Sequence, residues 1–116
     1  MTDGYMPHLM RPPYGTVSKN VLTAAKNEEL ACIRWSVDTR DWESHNKSKI
    51  MNIVKKNVKD GSIILFHDRI DASLQAIDEL IPWLLEEGYD IVTVTELLES
   101  AGPIEYGKDY REKPIK

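Results

Sequence analysis

The sequence predicts an α/β fold in which strands and helices alternate and the strands run parallel. Three observations predict it. Apolar runs of strand length alternate with amphipathic stretches at helical spacing, in the order β-α-β-α-β-α-β with a short closing helix. Three loops with unusual chemistry, Arg11–Gly15, Asp38–Trp42 and His67–Asp71, each follow a predicted strand and would share one sheet edge. The third observation is the apolar run Ile63-Ile64-Leu65-Phe66 ending in His67-Asp68, which reads as a strand buried on both faces and delivers an imidazole at its carboxyl end.

Taken in order, Met6–Met10 reads as a short strand leading into Arg11-Pro12-Pro13-Tyr14-Gly15. Two prolines stiffen that loop and Gly15 lets the chain turn. Ser18 is a good N-cap for a helix over about 19–29, with Val21, Leu22 and Ala25 as its narrow apolar stripe. Ala31–Val37 is the next strand, with Asp38 at its end. Residues 38–46 are polar and read as a loop. Ile50, Ile53, Val54 and Val58 mark a helix from Lys47 to Asp60, closed by Gly61. After the strand ending at His67, Leu74, Ile77, Leu80, Ile81, Leu84 and Leu85 form the strongest helical stripe, in which Pro82 should introduce a bend. Ile91-Val92-Thr93-Val94 reads as a short β-branched strand, Thr95 as the cap of a last helical turn, and residues 101–116 as a polar tail.

Composition sets bounds. At 116 residues the chain has room for one domain with one modest core. A formal net charge of −4 gives nucleic acid little reason to bind. The single cysteine, Cys32, excludes an internal disulfide and a cysteine-clustered zinc site, and its strand context points to a buried thiol. No apolar run approaches the ~20 residues of a membrane span. The N-terminus carries neither a basic nor an apolar leader region, so the chain as written is expected to stay in the cytoplasm.

The three loops together suggest a site. A carboxylate from Asp38-Thr39-Arg40-Asp41-Trp42 bonded to His67 would fix its tautomer and favour imidazolium, suiting it to protonate a leaving group. Trp42 and Leu65 could wall a small apolar pocket, and Arg11 could clamp a further carboxylate. The competing reading makes His67, the aspartates and Trp42 purely structural.

Arg11-Pro12-Pro13-Tyr14-Gly15, Asp38-Thr39-Arg40-Asp41-Trp42 and Leu65-Phe66-His67-Asp68 resemble, in this order, the third, fourth and fifth motifs of the polysaccharide deacetylases, the NodB-homology proteins of carbohydrate esterase family four. Ile81-Pro82-Trp83-Leu84, Gly88-Tyr89 and Thr95-Glu96-Leu97 are similar to the end of that family's domain, so the resemblance covers roughly residues 5–100. It implies part of a distorted (β/α)7-type barrel whose N-terminal strands are missing, with residues 1–100 as the C-terminal part of a catalytic domain. The implied activity is metal-assisted removal of acetyl groups from N-acetylglucosamine-containing polymers such as peptidoglycan or chitin, with zinc the expected metal. By resemblance, His67 is the general acid and Asp41 tunes it, with Asp38 the weaker candidate. Trp42 and Leu65 shape the acetyl pocket, Arg11 orients the base, and the Tyr14 N–H serves the oxyanion.

The sequence departs from the family in lacking a Thr-Phe-Asp-Asp-Gly-like run and a His-Ser/Thr-x-x-His run, which supply the base and metal ligands. Its only histidines are His8, His45 and His67, and no pair has ligand spacing. The expectations are therefore no metal site within this chain, no activity for it alone, and either a homodimer that closes through an open strand edge near Met6–Met10 or a fragment of a longer polypeptide. Family members are typically secreted or held in the bacterial envelope. The alternatives are a non-catalytic glycan-binding module and a structural α/β domain.

Overall fold

The computed structural model describes residues 8–12 and 15–114. It divides into two compact units, one formed by residues 1–34 and 94–116 and the other by Trp35–Thr93. Among the described residues the three strand pairings are parallel, as the alternation of elements predicts.

In the first unit, β1 (Leu9–Met10) and β5 (Asp109–Tyr110) flank a central β2 (Ala31–Ile33). Met6, where a strand was expected to begin, lies outside the described residues. Helix α1 (Lys19–Asn27) starts at Ser18, whose side chain accepts the Val21 N–H, and its buried Ala25 faces inward. Ala31, Cys32 and Ile33 are all buried, which accounts for the apolar run and makes Cys32 a core thiol. Burial pushes that thiol above its ordinary pKa, and the nearby Asp109 charge adds to the effect.

The polar C-terminal stretch is not a tail laid over the surface. Asp109 and Tyr110 complete the sheet, the Cys32 and Arg34 N–H groups donate to the Lys108 and Tyr110 carbonyls, and Arg34 forms a two-point ion pair with Asp109. Its aperiodic sequence hides this because only two residues enter the ladder. The expected strand at Ile91–Val94 is likewise absent: residues 91–93 join neither sheet, Ile91 and Val92 are exposed, and Val94 opens α5 (Val94–Glu99). β-branched residues make a strand only when a neighbour supplies the ladder. Thr95 therefore sits inside α5 instead of capping it, with Leu98 as the helix's buried residue.

In the second unit, β3 (Val37–Asp38) pairs with β4 (Ile64–Leu65), followed by α2 (Asp41–Ser44), α3 (Lys47–Asn57) and α4 (Asp71–Glu86) in their places along the chain. The single strand expected over 31–37 is thus two strands in different sheets. The Ile63 carbonyl takes the N–H groups of both Ser36 and Val37, and the Ser36 hydroxyl accepts the Ile63 N–H, so the chain re-registers at Ser36. Asn46 caps α3 by accepting the Lys49 N–H at 2.9 Å. Ile50 and Val54 of α3 pack on Ala76 and Leu80 of α4, with Met51, Val58, Ile64, Phe66, Ala72 and Trp83 around them. Helix α4 runs unbroken through Pro82, which lies on the exposed side, where the missing N–H costs least.

Candidate active site

Two parallel strands bring the two informative loops together. The register sets Asp38 beside Leu65, so the residues following each strand leave from the same end. Thr39, fully buried, donates its hydroxyl to the Leu65 carbonyl at 2.8 Å and ties the loops across that end. Arg40 then takes a left-handed backbone with φ 51°, uncommon for a residue with a side chain. The Asp38 carboxylate accepts the Arg40 N–H at 2.9 Å and holds this turn. The kink starts α2 and sends Asp41 into the interior, where it is 0% exposed.

The buried Asp41 carboxylate meets four donors. Oδ1 accepts the Trp42 N–H at 2.9 Å and lies 2.7 Å from His67 Nδ1; Oδ2 accepts the His67 N–H at 2.6 Å and the Ser73 hydroxyl at 2.5 Å. Burial alone would raise this carboxyl's pKa, but the bonds from Ser73 and from the His67 backbone and ring outweigh it, so the group is held below its ordinary value. It is therefore ionised at neutral pH and can only accept, which makes Nδ1 of His67 the donor. The ring is 46% exposed at its side chain. Nε2 is the ring nitrogen that Asp41 does not engage.

The other predicted residues fall around this pair. Trp42 is 52% exposed, with the Arg40 guanidinium 5.6 Å from its ring centroid. Leu65 is buried within β4. Asp38 is the turn-holder described above, so the expectation that it might tune His67 is corrected: the carboxylate on the ring belongs to Asp41. Ser73 and Thr39 were not anticipated as site residues. A signal for Ser73 was available, since it occupies a core position of the α4 stripe Ser73, Ala76, Leu80, Leu84, where a hydroxyl needs a partner.

No protein-family model matches the chain. Over 110 residues it is 38% identical to the peptidoglycan-N-acetylglucosamine deacetylase PgdA of Listeria monocytogenes, covering 95% of this chain and 22% of that protein. Among solved structures it superposes on a T48 deacetylase bound to substrate with a TM-score of 0.82 and 34% identity, covering 92% of this chain and 52% of the other. A family 4 acetyl xylan esterase from Clostridium thermocellum in complex with a cobalt ion gives a TM-score of 0.83 and 29% identity, covering 97% and 56%. Over nearly all of its length the chain matches part of the family-four polysaccharide deacetylases.

The chain spans about a fifth of the Listeria protein and about half of each solved neighbour. Its strands and helices form part of the family's barrel. Arg11 lies in the first unit, where its Nε donates to the Ile33 carbonyl at 3.3 Å and Nη2 to the Arg34 carbonyl at 3.5 Å. Tyr14 lies outside the described residues. The deacetylase fold implies a divalent metal, and the donor set does not fit one: among the described residues no three His, Cys, Asp or Glu side chains converge on a point. His8 is exposed and bonded through Nδ1 to the Glu29 carbonyl, while His45 closes α2 in a left-handed conformation. Among the described residues no helix is long and apolar enough to cross a membrane.

Proposed function

We propose that this chain carries the proton-donating side of a polysaccharide N-deacetylase site. The buried, four-bonded carboxylate of Asp41 on the half-exposed ring of His67 is the observation that supports it. Hydrolysis of an acetamide adds water across the carbonyl carbon and breaks the C–N bond, releasing acetate and an amine. The departing nitrogen needs a proton. In this reading His67 supplies it from Nε2, and the ionised Asp41 steadies the imidazolium before transfer and the Nδ1–H tautomer after it. Trp42, exposed beside the pair, offers an aromatic face to a sugar ring, Leu65 backs the acetyl group, and Arg11 and the Tyr14 N–H belong to the same reading as base-orienting and oxyanion-binding groups. The substrate class is an N-acetylglucosamine-containing polymer, peptidoglycan or chitin-like, which places the chain's work at the cell envelope. The chain alone is expected to release no acetate.

The test is a chimera in which residues 38–71 replace the matching segment of the Listeria deacetylase. Acetate release from N-acetylglucosamine oligomers should survive, and His67→Asn should lower kcat by about 10²–10⁴. A folded chimera that is indifferent to His67→Asn refutes the assignment. The exposure of Trp42 favours a second reading, a glycan-binding surface without catalysis. It requires metal-independent binding of the same oligomers, abolished by Trp42→Ala, in a chain whose chimera is inactive.

A further inference from the structure

Among the described residues the buried polar side chains are Thr39, Asp41 and Ser73, and all three serve one corner of the second unit. Thr39 ties the two loops, and Asp41 holds His67. The Ser73 hydroxyl bonds to neither loop's backbone, although the Ser73 N–H donates to the Ile70 carbonyl at 3.0 Å. Its hydroxyl, on a fully buried residue, donates to Oδ2 of Asp41 at 2.5 Å.

A carboxylate offers about four acceptor directions, and all four are filled here. Two donors are main-chain N–H groups from Trp42 and His67, and the third is the ring that the carboxylate must orient. The terminal torsion of an aspartate is broad, so these contacts leave the carboxylate plane soft. Ser73 differs in where it is mounted. It stands in the first turn of α4, on the stripe continued by Ala76, Leu80 and Leu84, and α4 is locked to α3 through Ile50 and Val54. Its hydroxyl therefore approaches Oδ2 from a rigid element that is neither β3 nor β4.

We propose that Ser73 is a positioning residue, whose hydroxyl fixes the Asp41 carboxylate plane so that Oδ1 holds His67 in its Nδ1–H tautomer with Nε2 outward. The inference rests on the reading of His67 given above, but its test does not use activity.

Ring-nitrogen NMR of ¹⁵N-histidine-labelled chain reports the tautomer directly. The wild-type chain should show His67 in a single neutral tautomer with a protected, downfield Nδ1–H proton. Ser73→Ala should lose that resonance and mix the tautomers, measured where urea titration shows the variant still folded. Ser73→Thr, which restores the hydroxyl, should restore the wild-type spectrum. Should the extra methyl prevent that variant from folding, Ser73→Cys, a poor donor of similar size, should behave like Ser73→Ala. A wild-type tautomer signature in Ser73→Ala or Ser73→Cys overturns the inference and leaves the role of His67 standing. An Nε2–H tautomer in the wild-type chain overturns the reading of His67 itself.

Discussion

Replacing Asp41 by asparagine keeps the shape of the side chain and removes half of its accepting capacity, and the structure shows what that costs. If the amide nitrogen takes the place of Oδ2, it faces the His67 N–H and the Ser73 hydroxyl. The hydroxyl can rotate and accept; the backbone N–H cannot. If the nitrogen takes the place of Oδ1, it faces the Trp42 N–H and His67 Nδ1. The ring can change tautomer and accept; the Trp42 N–H cannot. Either orientation leaves one main-chain donor facing another donor beside a fully buried side chain. Such a group costs about 1–3 kcal/mol, and the surviving bonds lose the strength a charged acceptor lends them. The sum is about 2–4 kcal/mol, a large fraction of a small domain's stability. All three tryptophans, Trp35, Trp42 and Trp83, lie in the second unit, so their fluorescence in urea follows the part of the chain that contains Asp41. With a slope of about 1–3 kcal/mol per molar urea, the midpoint should fall by roughly 0.7–4 M. A midpoint within about 0.2 M of wild type would show that the four-donor arrangement does not govern Asp41, and the site argument would lose its foundation.

The same carboxylate makes stability depend on acid. Its folded pKa lies below the ordinary value, so its contribution is complete above the unfolded value of about 4 and is lost as pH falls through the folded one. The tryptophan-monitored stability should drop in that window, and Asp41→Asn should flatten the drop; an equally steep acid limb in the variant refutes this. Gly107 adopts φ +78°, and a Cβ there would stand 2.6 Å from Cβ of Lys26 and 3.1 Å from the Leu22 carbonyl oxygen. Gly107→Ala should cost about 1–3 kcal/mol and be felt first as faster amide exchange at Cys32 and Arg34, whose N–H groups bond the C-terminal segment. Pro82→Ala restores a helical donor at an exposed position and should raise stability by about 1 kcal/mol in urea; a loss of stability would mean that the ring packs in a way its exposure does not suggest.

The parts of this fold that were legible in the sequence are those written by local rules. Ser18 caps α1, where its side chain reaches a nearby N–H, and the α3 stripe buries Ile50 and Val54; in α4, Leu80 and Leu84 are buried as their spacing predicts, whereas Leu74, Ile81 and Leu85 lie exposed and Ser73 and Ala76 take the inward positions. The parts that were not legible depend on partners remote in sequence. Asp109–Tyr110 becomes a strand because β2 offers an open edge, and Ile91–Thr93 does not because nothing in either sheet pairs with it. Ala31–Val37 has the composition of one strand, yet the Ile63 carbonyl takes the Ser36 and Val37 N–H groups and the chain enters a second sheet at Val37. Composition carries no information about such competition for hydrogen-bond partners.

The site divides along the same line. His67 and Asp41 could be paired from sequence because each follows a strand, and parallel strands deliver their carboxyl ends to one place. Choosing between Asp38 and Asp41 could not be done that way, since both follow the same strand three residues apart. The backbone decides. Arg40's left-handed turn leaves Asp38 to close the turn and drives Asp41 inward, and a carboxylate that is driven inward must find donors or lose its charge. The donors it finds are the two N–H groups at the site, the Ser73 hydroxyl and the ring of His67. Burial is thus what makes Asp41 dependent on His67 and Ser73, and that mutual dependence is what would fix the ring for proton donation.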